Sequence, residues 1–535
     1  MGSSGEQRGP GAAVGDRPAG DPDLDVKLET PVPGHLPIGR GTAIFCFGTC
    51  FHRRREVEGV EIMVDGRSHE VTASRMPRPD LFRVLHPSLS PDEESSLERD
   101  PRSSEDPELR CYRSGFWATV PIEPRDRAGA IELSARVRLA DGGRASAELG
   151  RIEVIEPRTP PSYADLSNRP DGLIAVCMAT FDPDIELFRA QIASLRAQTD
   201  TNWICLISDD CSRPERFEAI ERAVAGDPRF FVSRSEEHLS FYRNFERALG
   251  MVPAEAELVA LCDHDDRWYP EKLDTLRGAL GGAQLVYSDQ RLVDADGRVL
   301  ADTLWKGRRN NYTNFPSLLI SNTITGAAML FRREMLEFAL PFPAMPGLEF
   351  HDHWLSLVAM ATGEIRYVDR PLYDYVQHAE AVLGKVAVGP DGSGGSNGAG
   401  RRRGPREWIR SLRGGRAAYF CAYLNLQVQA RVLLERCSAR LTSRKRRVLS
   451  RFLASAHSPL GLLWLAARRL RALVGRNETL GGETELVKGI VWRYIVAVRT
   501  RHLERPGGAP YEASLPLCWQ ENFGQERLRR WRARR

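Results

Sequence analysis

Between Leu173 and Cys262 the chain alternates short apolar runs with amphipathic ones, and this alternation restricts the fold more than any other feature. Leu173–Met178, Trp203–Ile207, Phe230–Ser233 and Glu257–Cys262 read as strands, while Asp184–Gln198 and Pro214–Ala225 repeat their apolar residues at helical spacing. Strands separated by helices pair in parallel, because a parallel neighbour needs a long crossover. The expected product is a mostly parallel α/β sheet. Ligands of such sheets bind beyond the carboxyl ends of the strands, so the residues that follow each strand are where chemistry is sought.

Two acidic clusters stand there. Asp209-Asp210-Cys211-Ser212 follows the second strand, and Asp263-His264-Asp265-Asp266-Arg267-Trp268 follows another. Carboxylates this close repel one another unless something positive lies between them. A divalent cation held by one or two carboxylates and completed by substrate phosphates meets that need. Either cluster alone also fits a solvated acidic loop; two at the strand ends of one sheet favour the metal site.

Taken in order, these motifs resemble the catalytic domain of the family 2 glycosyltransferases, whose GT-A fold is an α/β, Rossmann-like mixed sheet. Met178-Ala179-Thr180-Phe181-Asp182 stands at the family's first turn, and Ser194, Leu195, Gln198 and Thr199 fit its first helix. Asp209–Ser212 matches its Asp-Asp-x-Ser turn. Asp263–Trp268, with Pro270 and Lys272, matches its Asp-x-Asp-Asp-x-Trp-x-Pro-x-Lys block. Thr325-Gly326, Phe331-Arg332-Arg333, His351-Asp352-His353-Trp354 and Tyr375-Val376-Gln377-His378 complete the series. The nearest likeness is to the rhamnosyltransferase-like branch of bacterial cell-surface polysaccharide synthesis. Ala179 and Asp182 replace the usual Pro and Asn, Val376 stands where Arg is common, and Ala379-Glu380 replaces Gly-Asn. The nucleobase contacts and the donor or acceptor pocket are therefore expected to depart from the typical rhamnosyl enzyme.

The resemblance implies a nucleotide-diphosphate-sugar donor, a hydroxyl acceptor on a glycan or lipid, hexosyl transfer with inversion, and Mn2+ or Mg2+ as cofactor. It makes Asp265 the leading metal ligand, with His378 completing the site. Thr180, Asp182, Asp209, Asp210 and Asp263 become donor-binding residues, and Asp352 the general base. Asp352 also precedes an apolar helical run, so helix capping is the plainer reading of that residue. His351 and His353 stand two apart, a spacing that suits zinc ligands on a strand better than on a helix.

The rest of the chain divides around this domain, expected over 168–385. Residues 1–40, rich in Gly and Pro, read as a disordered leader without the apolar core of a signal peptide. Residues 41–156 carry short alternating runs with Asp65-Gly66 and Asp141-Gly142 turns, which points to an antiparallel β-sandwich accessory domain. Residues 386–404 form a Gly/Ser-rich linker, and 405–535 a basic, mainly helical region. The net charge of +4 conceals an asymmetry: residues 401–535 hold 30 Lys and Arg against 9 acidic residues, a net of +21, and the remainder has a net of −17. Such a tail suits an anionic partner. No nucleic-acid module is recognisable in it, so a membrane surface is the expected partner, or else packing against the acidic body. No apolar stretch reaches the ~20 residues of a membrane span. The ten scattered cysteines form no CxxC pair, which favours a reducing compartment. The expected location is cytoplasmic, peripheral at the inner face of the cell membrane.

Two other functions fit parts of the pattern. A non-catalytic, carbohydrate-binding scaffold with a decayed transferase domain should have lost carboxylates, and none is broken here. A sugar nucleotidyltransferase should carry a Gly-rich basic loop after its first strand, where Ala179–Asp184 is acidic.

Overall fold

The computed structural model describes residues 21–86, 106, 108–163, 166, 170–305, 309–347, 349–377 and 414–501. The expected linker at 386–404 lies outside the described residues.

The N-terminal strands are β1 (Leu24–Leu28), β2 (His35–Pro37), β3 (Thr42–His52), β4 (Val57–Val64), β5 (Arg67–Glu70), β6 (Ala73–Met76), β7 (Gly115–Ile122), β8 (Gly129–Leu139) and β9 (Arg144–Ile155). They form two sheets, ordered β1-β3-β7-β6 and β2-β9-β8-β4-β5, antiparallel except for the β2–β9 pair. Ile44, Cys46, Phe116, Val120, Ile131 and Val137 fill the space between them. Asp65 and Gly66 both adopt positive φ, 45° and 79°, as a tight hairpin turn requires.

One expectation needs correction, and one strand escaped the sequence reading. The leader assigned to 1–40 contains β1 and β2: Leu24, Val26 and Leu28 alternate with charged residues and pack on the sandwich core. Their signal was a period-2 pattern only five residues long. The strand β3 was not anticipated because it does not alternate. All eleven of its residues are buried, since its second face, through Phe45 and Phe47, is covered by the C-terminal helices. A strand covered on both sides loses the polar face that marks it. Gly48 allows the edge strand to approach, because a Cβ there would lie 2.0 Å from the Lys27 carbonyl oxygen.

The central sheet contains β10 (Ile174–Thr180), β11 (Trp203–Asp209), β12 (Phe230–Arg234), β13 (Leu258–Asp263), β14 (Arg267–Trp268), β15 (Leu285–Asp294), β16 (Val299–Ala301), β17 (Met329–Arg332) and β18 (Ile365–Gln377). Its order is β12-β11-β10-β13-β17-β15-β18-β14, with β16 on β15. The first four strands are parallel, β17 runs antiparallel between β13 and β15, and β18 returns parallel to β15. This is the mixed GT-A sheet.

The C-terminal region bonds the two domains together. A helix begins at Gly415–Ala417, passes through a π-helical stretch at Ala418–Leu424 and continues as Asn425–Arg436; the helices Ser443–Ala454, Pro459–Ala467 and Gly482–Arg499 follow. Trp117 of the sandwich donates from its indole nitrogen to the Tyr419 hydroxyl at 3.1 Å. Arg436 donates to carbonyl oxygens of Gly41 at 2.7 Å and Pro341 at 2.6 Å, one in each domain. Burial pushes its guanidinium down to about 10. Among the described residues eight cysteines are free and seven of those are buried, whereas Cys421 is disulfide-bonded.

Gly489 lets the last helix lie directly on the π-helical stretch: a Cβ there would meet the Tyr419 nitrogen at 2.6 Å. Gly489→Val should therefore lower stability by about 1–3 kcal/mol, the usual cost of overpacking. Gly278→Ala, in a helix with nothing within 4 Å of the added Cβ, should be neutral or stabilising by up to about 1 kcal/mol. Thermal melting of the three proteins decides this, and equal midpoints for parent and Gly489→Val would contradict the packing.

Candidate active site

Register aligns the site. Thr180 at the end of β10 pairs with Asp209 at the end of β11, and Ala179 pairs with Asp263 at the end of β13. Parallel neighbours lie about 4.8 Å apart, so three residues singled out by sequence stand in a row on the carboxyl edge. Asn244, which sequence reading missed, fixes that edge. Its buried amide donates to the carbonyls of Thr180 at 3.1 Å and Ser208 at 2.9 Å, and accepts from the Ser208 hydroxyl at 2.6 Å. Its only sequence signal was a polar residue on the apolar face of a helix.

The first acidic cluster is a closed network. The Asp209 carboxylate accepts from the Thr180 hydroxyl at 3.0 Å and from the Ser212 backbone N–H at 3.0 Å. Asp210 accepts from the backbone N–H groups of Leu239 and Ser240, at 2.5 and 2.9 Å, and faces His238 Nδ1 at 2.9 Å. The hydrogen bond to Asp210 holds the imidazole above the usual histidine range. Asp182, at φ 41°, receives the Arg213 backbone N–H at 2.8 Å and its guanidinium at 3.0 Å. Thr180, Asp209 and Asp210 are buried, whereas Asp182 is half-buried.

The second cluster is under electrostatic load. Asp263 and Asp266 are both raised above the carboxylate range, first by burial and then by Asp265. The described residues give Asp266 Oδ2 no hydrogen-bond partner. Its carboxylate receives the Val376 N–H at 3.3 Å. Beneath the cluster lies Lys272, fully buried, with Nζ 3.5 Å from the Trp268 ring centroid and 4.2 Å from that of Tyr373. Burial pushes its ammonium down to about 7, opposed by Cys262, Asp266 and Asp263.

Several family-like motif residues hold this loop rather than face solvent. The Gln198 side chain donates to the Tyr269 carbonyl at 2.8 Å and accepts from the Leu273 N–H at 3.1 Å. The Thr199 N–H donates to the Pro270 carbonyl at 2.9 Å. Arg267 pairs with Asp374 and Trp268 with Tyr373 across β14 and β18, which brings Tyr375–Gln377 beside Asp266. His378 lies outside the described residues.

Asp352 stands in the first turn of the helix His351–Thr362, whose N-cap is Phe350 with no side-chain cap. The capping reading of Asp352 is therefore corrected: the helix starts two residues too early for it. Its carboxylate accepts from the His353 N–H at 2.6 Å and from Asn322. Burial raises it to about 7 and the Asp263 charge contributes, against the pull of those hydrogen bonds and of the helix N-terminus. Gly326 makes room for this turn, since a Cβ there would lie 2.6 Å from His351 Nε2 and 3.7 Å from Asp352 Cβ. The two histidines diverge: His353 Nε2 meets the Leu318 carbonyl at 2.8 Å, while His351 stacks on Phe245 at 3.9 Å. They do not form a zinc pair. Among the described residues, the one group of three His, Cys or acidic residues with ligand atoms within 4.8 Å of each other is His86, Asp106 and Cys111 in the sandwich. There His86 Nε2 and Asp106 lie 3.2 Å apart.

The sheet therefore carries two acidic loops at the carboxyl ends of its parallel strands. Residues 175–338 match the model of glycosyl transferase family 2. An uncharacterised protein, y4gI, of Sinorhizobium fredii (strain NBRC 101917 / NGR234) is 28% identical over 243 residues, 44% of this chain. The chain spans a quarter of that relative's length. Among solved structures, S. aureus TarS 1–349 in complex with UDP-GlcNAc is 15% identical, covering 62% of this chain and 92% of its own, with a TM-score of 0.35. The mannosyltransferase PcManGT from Pyrobaculum calidifontis, in complex with GDP-Man and Mn2+, is 15% identical over 63% and 90%, with a TM-score of 0.31.

The raised carboxyl of Asp352 has a consequence for stability. Between about pH 4 and 7 the folded state holds a proton that the unfolded chain has released, so stability falls as pH rises through that window. Asp352→Asn removes this dependence. In metal-free protein it should exceed the parent in stability at pH 8 by on the order of 1–3 kcal/mol, with the gap closing toward pH 4. Denaturant melts at both pH values test this; a gap that is absent at pH 8 contradicts the assigned environment.

Proposed function

We propose that the chain is an inverting glycosyltransferase that moves a hexosyl group from a nucleotide-diphosphate-sugar to a hydroxyl of a glycan or lipid-linked acceptor. The observation that carries this reading is electrostatic. Asp352, raised to about 7, feels the charge of Asp263, so a group able to accept a proton near neutral pH faces the loop suited to a diphosphate and its metal.

The residues present fit a divalent cation. Their donors are hard carboxylate oxygens crowded together, and the described residues leave one oxygen of Asp266 without a hydrogen bond. Asp265 would hold Mn2+ or Mg2+, with His378 completing the site. When bound, the cation supplies Lewis-acid stabilisation of the departing diphosphate. Asp263 contacts the donor ribose or the cation. Thr180, Asp182, Asp209 and Asp210 form the nucleobase wall. The Asp209 and Asp210 carboxylates already serve the loops around them, so they act largely by fixing that wall's shape. Asp352 takes the acceptor proton as the hydroxyl attacks. One base on the face opposite the leaving group gives one displacement and hence inversion. The cellular role in this reading is bacterial cell-surface polysaccharide synthesis at the inner face of the membrane.

Asp265→Asn should abolish the metal-dependent part of nucleoside-diphosphate affinity in a folded protein, read by calorimetry with and without Mn2+. Unchanged metal dependence would remove Asp265 from the site. Asp352→Asn should keep donor affinity within a few-fold while reducing transfer by about 100-fold or more. Transfer near the parental rate would place the base elsewhere.

A further inference from the structure

We propose that the segment Pro459–Val474 is a membrane-docking element that lays its apolar face into the interface of an anionic bilayer. Twelve large hydrophobic residues are exposed among the described residues, and eight of them fall between Leu460 and Val498. Five belong to one continuous element, the helix Pro459–Ala467 and the 3-10 helix Arg468–Val474 that extends it. Leu460, Leu463, Leu470, Leu473 and Val474 are 78, 63, 63, 82 and 71% exposed. The spacing 460, 463, 467, 470 and 473, with the exposed Ala467 in the middle, makes one stripe along the element. The opposite face is anchored. Leu465 is fully buried, and a Cβ on Gly461 would lie 2.9 Å from the Ala454 backbone.

Charge selects the occupant. From Cys437 to Asn477 the sequence has ten Lys and Arg and no acidic residue. Arg444, Arg446, Arg447 and Arg451 are exposed on the adjoining helix Ser443–Ala454, and Arg469 is exposed beside the stripe. An apolar stripe bordered by arginines is the chemistry of an interfacial helix: aliphatic side chains enter the acyl boundary and guanidinium groups reach anionic headgroups. No helix among the described residues is long and apolar enough to cross a membrane, so the element lies in the interface instead of spanning it.

The element is wired to the candidate site. Arg468 and Arg471 turn inward and donate to the Ser317 hydroxyl at 2.8 and 3.2 Å. The next residue, Leu318, offers its carbonyl to His353, the neighbour of Asp352. A bilayer against the stripe would thus lie on the Asp352 side, where a lipid-linked acceptor would be presented. This consequence for the acceptor rests on the glycosyl-transfer reading; the docking does not.

The test is co-sedimentation of the full chain with vesicles of phosphatidylcholine alone or mixed with phosphatidylglycerol. The parent should bind the anionic vesicles, lose binding in high salt, and bind neutral vesicles at least ten-fold less. The combined variant Leu463→Glu, Leu470→Glu, Leu473→Glu should lose at least ten-fold in partitioning with an unchanged melting temperature. If it fails to fold, Leu473→Glu alone, at the most exposed position, should still lose several-fold. Parental binding by a folded variant overturns the proposal, as does a parent that binds neither vesicle. Dimerisation of the parent abolished by the same substitutions, with vesicle binding intact, also overturns it and assigns the stripe to a second copy. Because the readout is lipid binding, it does not depend on whether the chain transfers sugar.

Discussion

The site depends on carboxylates that the sheet forces together and the protein only partly neutralises. Register brings Asp263 to the strand edge, and the short turn to β14 packs Asp265 and Asp266 beside it. The built-in counter-charge is Lys272, which is itself so deeply buried that its ammonium is pushed down to about 7. Burial therefore penalises both partners, and the acids remain raised. A loop of this kind is a poor stabilising element and a good receptor for a cation that brings its own phosphate oxygens. The surrounding contacts make sense in that light. Gln198, Thr199, Ser194 and the β14–β18 pair all hold the loop from behind.

The same division of labour separates the two acidic clusters, which look alike in the sequence. Asp209 and Asp210 collect backbone N–H groups and hydroxyls and so form a rigid corner. Asp263 and Asp266 are instead raised by burial and by the charge of Asp265, and Asp263 bears in turn on Asp352. Counting acids cannot tell these environments apart; counting the donors around them can.

Much of the catalytic domain was legible because its strands are short, apolar and followed by chemistry-bearing turns. Asp209 and Asp263 were placed at strand ends by pattern and Thr180 by the family resemblance, and the register puts them in one row. What stayed hidden was long-range. The strand β3 reads as an unpatterned apolar run because helices more than 370 residues later cover its second face. Asn244 and Gly326 give no local sign of their roles, which arise from backbone carbonyls and side chains brought in by other elements. For Asp352 the sequence left capping open beside the general-base reading, and the helix start at His351 puts it in the first turn. The basic tail suggested either a membrane or an acidic protein surface. It anchors through apolar packing and through arginines that bond backbone carbonyls of the body, as Arg436 does with Gly41 and Pro341 and Arg493 with Thr72.

The central claim is metal-dependent handling of a nucleotide-sugar by this acidic loop. It is tested most directly by incubating the parent protein with a panel of nucleotide-diphosphate-sugars and Mn2+ or Mg2+, and measuring release of the nucleoside diphosphate. The account predicts release from a restricted set of donors, stopped by chelation and restored by added metal. Failure to bind or cleave any donor with metal present, or equal release after chelation, would contradict it.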